Sequence, residues 1–145
     1  SDFFINNRPR LSTNKYLWLD AIVSKNLLFD KDLIKNILVK NAKLFSIKKH
    51  PNEELSTIAK EMLANGSELI KINLPIELYL LEENVIVISP TVSTCFNTIK
   101  ELFSNRLVSL LLIFIKDMEI NKHNIQKYNN VEFLRDEKQF ANLFK

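Results

Sequence analysis

The chain has 145 residues, 46% of them hydrophobic and 26% charged, with a net charge of +3 and a single cysteine. A domain of this length buries about 68–70% of the surface its unfolded chain exposes, so no disulfide or metal staple is required, and the composition reads as an ordinary soluble domain rather than a disordered or membranous one. The only glycine, Gly66, excludes phosphate-cradling glycine loops, dinucleotide fingerprints and the glycine-turned helix-hairpin-helix modules that bind DNA.

Cys95 alone cannot build a disulfide framework, and with two distant histidines, His50 and His123, there is no cluster of zinc ligands. One cysteine fits a reducing, intracellular compartment. A first residue of Ser rather than Met is expected of a piece of a longer protein. The longest apolar run, Leu107 to Ile115, is interrupted by Ser109 and falls far short of the roughly 20 residues of a membrane helix. Charge is uneven: residues 1–73 hold 12 Lys and Arg against 8 acids, and residues 74–145 hold 8 against 9.

Residues 1–14 are polar and broken by Pro9, with Phe3, Phe4 and Ile5 as an isolated apolar tag, and read as an arm or linker. Tyr16 to Val23 fits either a first strand or a helix, because its apolar residues follow neither period cleanly. Asp30 or Asp32 then caps a helix with Leu33, Ile34, Ile37 and Leu38 on one face. Ala42 to Lys49 alternates as a strand does. Pro51 sits where the first turn of a helix over Asn52 to Asn65 tolerates it. Leu55, Ile58, Ala59, Met62 and Leu63 form that helix's core stripe, and Asn65-Gly66 its left-handed cap.

Glu68 to Asn73 is expected as a short strand stopped by Pro75, and Val85 to Ser89 as a buried strand stopped by Pro90. Thr91 or Ser89 caps the next helix, whose apolar set is Val92, Cys95, Phe96, Ile99, Leu102 and Phe103. Leu107 to Ile115 is β-branched-rich without alternation, the mark of a strand covered on both faces by helices. A polar helix near Asn121 to Tyr128, a strand at Val131 to Leu134 and a final helix capped by Asp136 and carrying Phe140, Leu143 and Phe144 complete the pattern. The fold class expected is α/β with a mainly parallel central sheet. The boundary falls at residue 41, with residues 1–41 an N-terminal extension and residues 42–145 the core.

No catalytic constellation is legible. A metal-dependent nuclease needs converging carboxylates to neutralise the phosphodiester and deprotonate water, whereas Asp20, Asp117 and Glu119 are scattered and read as solvated acids at strand ends. Cys95 falls on an apolar helical stripe and reads as a small buried hydrophobe. His50, beside Lys48 and Lys49, reads as an exposed cap. The basic residues best placed to meet a phosphate backbone are Arg8, Arg10, Lys43, Lys48 and Lys49.

The segment ENVIVISPTVSTCFNTIKELFSNRLVSLLLIFIKD, with VEFLRDEKQFANLFK at the end, resembles the central half and last elements of the XPF-type nuclease fold. In active members Ile88-Ser89-Pro90 is expected to be Glu-Arg-Lys, with aspartate where Thr94 stands, and Gly66 is expected to be followed by Asp rather than Ser67. The resemblance therefore implies a non-catalytic branch, most like the XPF-like domain of the meiotic Zip-type crossover proteins. It implies no enzyme activity and no cofactor, a nuclear location, weak recognition of branched DNA, and a heterodimer with a smaller excision-repair-type subunit. A terminal helix has only one neighbouring layer to cover it, so the stripe of Phe140, Leu143 and Phe144, with that of Phe96, Ile99, Leu102 and Phe103, is expected to form the partner surface. An alternative resemblance, in KEMLANGSELIKINLPIELYLLEENVIVIS, is to the phospholipase-D-like sensor domain of some transcription regulators. It implies small-ligand sensing without catalysis, because the family's His-x-Lys signature is absent.

Overall fold

The computed structural model describes residues 14–20, 31–71, 85–89, 110–113, 131–134 and 137–145. Six strands and three α-helices occur among them: β1 (Tyr16–Leu19), α1 (Lys31–Lys40), β2 (Phe45–Lys48), α2 (Thr57–Ala64), β3 (Glu68–Leu69), β4 (Ile86–Ser89), β5 (Leu110–Ile113), β6 (Val131–Leu134) and α3 (Glu137–Asn142). All six strands join one parallel sheet in the order β3-β2-β1-β4-β5-β6. Parallel neighbours cannot be joined by a hairpin, so each step along the sheet is a crossover. The first three strands step outward to one side of β1 and the last three step outward to the other.

The expected division at residue 41 does not divide this fold. β1 lies between β2 and β4, with Tyr16 beside Phe45 and Ile86 and Trp18 beside Ile47 and Ile88. Alternation along a strand sends these six side chains to one face. There Tyr16, Trp18, Phe45, Ile47 and Ile88 share a buried cluster with Ile34 and Leu38 of α1, Ile58, Ala59 and Met62 of α2, and Phe140 of α3. On the other face Leu17 and Val87 are also fully buried, as a sheet covered on both sides requires. Fully burying one such side chain contributes about 1.5–3 kcal/mol, so β1 is a central element and not an appendage.

α1 keeps the expected stripe at Ile34 and Leu38, but Leu33 is solvent-exposed and Asp32 lies inside the helix, not at its cap. Ala42–Leu44 is a short 3-10 turn, so the strand begins only at Phe45. α2 begins six residues later than Pro51. Its cap is Ser56, whose Oγ accepts from Ala59 N at 3.0 Å, an interaction that contributes about 1 kcal/mol. The residues before it form a separate turn, in which Lys49 Nζ donates to His50 O and Glu53 O.

The other end of α2 follows the sequence closely. Ser67 N donates to Met62 O at 3.0 Å and Gly66 N to Leu63 O at 3.3 Å, the paired bonds of a Schellman cap. Gly66 has φ +109°, and a Cβ there would stand 2.8 Å from Lys43 Cγ. The expected strand from Glu68 shrinks to two exposed residues at the sheet edge. β4, β5 and β6 fall within or match the expected runs, whereas the helices expected over residues 91–106 and 121–128, with Cys95 and the Asp136 cap, lie outside the described residues.

Gly66→Ala is expected to destabilise the chain by about 1–2 kcal/mol, since an L residue is strained in the left-handed region. Lys43 has a flexible side chain that can move aside, so backbone strain sets the size. Equilibrium urea unfolding measures the change, and an unaltered midpoint would contradict the cap.

Candidate functional site

In a sheet of parallel strands all carboxyl ends point to one edge. The chain leaves β1 toward β2 on one side, while β4 sits on the other, so the β1–β4 boundary is where the direction of winding reverses. In open α/β sheets, ligands bind in the crevice outside the strand ends at such a switch point. Residues at that edge are Asp20 after β1, Lys48, Lys49 and His50 at the end of β2, and Ser89 at the end of β4.

Asp20, expected as a solvated acid, is buried. A carboxylate removed from water requires hydrogen-bond donors, and Asp20 has three. Trp18 Nε1 donates to Oδ1 at 3.1 Å, Ser56 Oγ donates to Oδ1 at 2.5 Å, and Ser56 N donates to Oδ2 at 2.7 Å. The carboxylate thus lies at the amino end of α2, where the helix dipole favours negative charge. The backbone of Asp20 makes a further link, its N–H donating to Lys48 O at 2.9 Å. Among the described residues every buried side-chain nitrogen or oxygen has a hydrogen-bond partner.

Between Lys48 and Ser56 runs the loop Lys49–Leu55. It closes on itself: Asn52 N donates to His50 Nδ1 at 3.2 Å, Glu53 N to His50 O at 3.3 Å, and Lys49 Nζ to Glu53 O at 2.7 Å. His50 and Lys49 are exposed. Lys48 and Lys49 are balanced nearby by Glu53 and Glu54, so the loop offers both donors and acceptors with no dominant sign of charge.

The expected DNA-contacting residues are not gathered here. Lys43 precedes β2 and Lys48 ends it, which puts them at opposite ends of that strand, and Lys48 is buried. A phosphate backbone needs exposed cations on one surface. Only Lys49 of the three is exposed at the carboxyl edge; Arg8 and Arg10 lie outside the described residues.

The residues expected to form a partner surface at the C-terminus are packed in this chain's own core. Phe140 is fully buried, and Leu143 and Phe144 are half-buried against the core cluster. The Phe144 ring lies 5.0 Å from that of Tyr16, edge-on, 5.5 Å from Phe45 and 5.4 Å from Phe140, edge-on. Tyr16 Oη donates to Leu143 O at 3.2 Å, tying the terminus to β1. A terminal helix has few layers to cover its aromatics, but here Tyr16 and Phe45 cover them. Phe96, Ile99, Leu102 and Phe103 lie outside the described residues.

Three or more His, Cys, Asp or Glu side chains poised to hold a metal do not occur among the described residues, and no described helix is long and apolar enough to cross a membrane. No family model matches the sequence, and no curated protein is significantly similar to it.

Phe140→Ala is expected to lower the stability of the isolated chain by about 3–5 kcal/mol, the range for removing a buried phenyl ring. Thermal or urea unfolding of the purified chain checks this. An unchanged melt would mean that the ring is not core and would return it to the partner surface.

Proposed function

We propose that this chain is a non-catalytic ligand-binding domain that takes a small nucleotide-class molecule at the carboxyl edge of its sheet, where β1 and β4 diverge. The observation that carries this reading is the strand order β3-β2-β1-β4-β5-β6 with every strand parallel, the doubly wound arrangement whose switch point is the usual place for such ligands. Of the functional classes open from the sequence, small-molecule sensing is the one this arrangement favours.

The glycine content narrows the ligand. A pyrophosphate cradle of the dinucleotide kind needs several glycines at the first strand-to-helix turn, and the only glycine is Gly66, at the far end of α2. Recognition therefore falls to side chains and loop backbone. Ser89 ends β4 at that edge, and its hydroxyl donates and accepts without adding charge. The loop from Lys49 to Leu55, with no dominant sign of charge, suits the polar groups of a mononucleotide better than an extended polyanion.

A panel of nucleoside monophosphates, nucleoside diphosphates and a nicotinamide dinucleotide, scored by thermal shift and calorimetry, tests the reading. A monophosphate at 100 times its Kd is expected to stabilise the chain by about 2.7 kcal/mol, and the dinucleotide to do no better. If no nucleotide binds and the chain instead co-purifies with a second, different polypeptide and retains branched DNA, the heterodimeric scaffold implied by the XPF-type resemblance is the better account.

A further inference from the structure

Asp20 is joined to both ends of one loop. Its backbone N–H is bonded to the carbonyl of Lys48, the last residue before the Lys49–Leu55 loop, at 2.9 Å. Its carboxylate is bonded to the N–H and hydroxyl of Ser56, the first residue after it, at 2.7 and 2.5 Å. Ser56 Oγ in turn accepts from Ala59 N at 3.0 Å, so the same contact sets the first turn of α2. The side chain reaches across 36 positions of sequence to do this.

We infer that Asp20 is a positioning residue that holds the Lys49–Leu55 loop in a binding-ready conformation at the carboxyl edge of the sheet. The inference rests on the ligand-binding reading for what the loop does, and on geometry alone for how the loop is held. Three features support it. Asp20 is buried and Ser56 half-buried, whereas His50, Asn52 and Glu54 of the loop between Lys48 and Ser56 are exposed. The loop's internal bonds from Lys49 and Asn52 would not by themselves fix it relative to the sheet, since all of them start and end within residues 49–53. The anchor strand β1 is held on both edges by its neighbours, so a residue at its end is a rigid support, as a preorganised site requires.

The clamp needs a carboxylate. All three partners of the side chain donate: the Trp18 indole, the Ser56 N–H and the Ser56 hydroxyl. An asparagine would turn an NH₂ toward one of these donors, whichever way its amide is placed. A ligand that meets a loosened loop must first order it, which weakens apparent affinity by the fraction of time the loop is in place.

The test compares the full chain with Asp20→Asn by amide hydrogen exchange and by calorimetry with a nucleoside monophosphate. The expected result is exchange at residues 50–55 faster by at least about tenfold, nucleotide affinity weaker by about tenfold, and no change at Phe45–Lys48 or Met62. Trp18→Phe removes the third donor without touching the loop and is expected to leave loop exchange unaltered. Should Asp20→Asn fail to fold, Ser56→Gly supplies the same comparison: it loses the hydroxyl's two bonds, to Asp20 Oδ1 and from Ala59 N, keeps the backbone bond to Asp20 Oδ2, and glycine is tolerated at a helix cap; Ser56→Thr is expected to behave as the unsubstituted chain. Loop exchange that stays at its original rate overturns the clamp, and faster loop exchange with undiminished affinity overturns its role in recognition. An unsubstituted chain that binds no nucleotide defeats the function proposed above and the recognition role with it, while the exchange rates still decide whether Asp20 holds the loop.

Discussion

The parallel ladders on both edges of Tyr16–Leu19 set the positions of all the other elements. A strand in the middle of a parallel sheet must receive its two neighbours by separate crossovers, one wound to each side. Here β2 takes one edge through Tyr16–Phe45 and Trp18–Ile47, and β4 takes the other through Tyr16–Ile86 and Trp18–Ile88. The large aromatic residues of β1 then serve as the floor on which α1, α2 and α3 meet, because Tyr16 and Trp18 face the same side and both are buried. The return of the chain end to this floor follows from the same contact: Phe144 packs edge-on against Tyr16, whose hydroxyl holds the Leu143 carbonyl.

Burying Asp20 at the end of that strand creates the second constraint. A desolvated carboxylate is tolerated only where donors converge on it, and the donors come from Trp18 two residues earlier and from Ser56 at the start of α2. The same helix end that would otherwise leave unsatisfied N–H groups is thereby closed by a charge of the favourable sign. Strand end, loop and helix cap form one hydrogen-bonded unit. A loop built this way holds its shape before any ligand arrives, and preorganisation of that kind favours binding by reducing the ordering that association must impose.

Much of the architecture is legible in the residues. The apolar, non-alternating runs at Val85–Ser89 and Leu107–Ile115 point to a parallel sheet covered on both faces, and the Asn65-Gly66 stop is visible because only glycine readily takes the positive φ that this cap needs. The core role of Met62 follows from its place on a helical stripe. What could not be read is long-range. Tyr16–Leu19 is four residues long, too short for either period to assert itself, and its central place depends on partners 29 and 70 positions away. Pro51 is a good helix-start residue in isolation, but the pairing of Ser56 with Asp20 moves the start downstream. Asp20 itself looks like any acid after a strand. The only local hint is its spacing from Trp18, an indole donor two residues back on a strand that ends there. The terminal phenylalanines read as uncovered in sequence because nothing local puts Tyr16 and Phe45 beneath them.

In the function proposed above, the carboxyl edge at the β1–β4 boundary is where this chain meets its ligand. The most direct measurement is a map of backbone amide shifts on titrating the ¹⁵N-labelled chain with the tightest-binding nucleoside monophosphate. Binding at this edge predicts saturable shifts concentrated at Asp20, at residues 49–56 and at Ser89, with little change at the opposite ends of the same strands, at Lys15, Lys43 and Val85. Shifts concentrated at those opposite ends, or no saturable shifts at all, would contradict it.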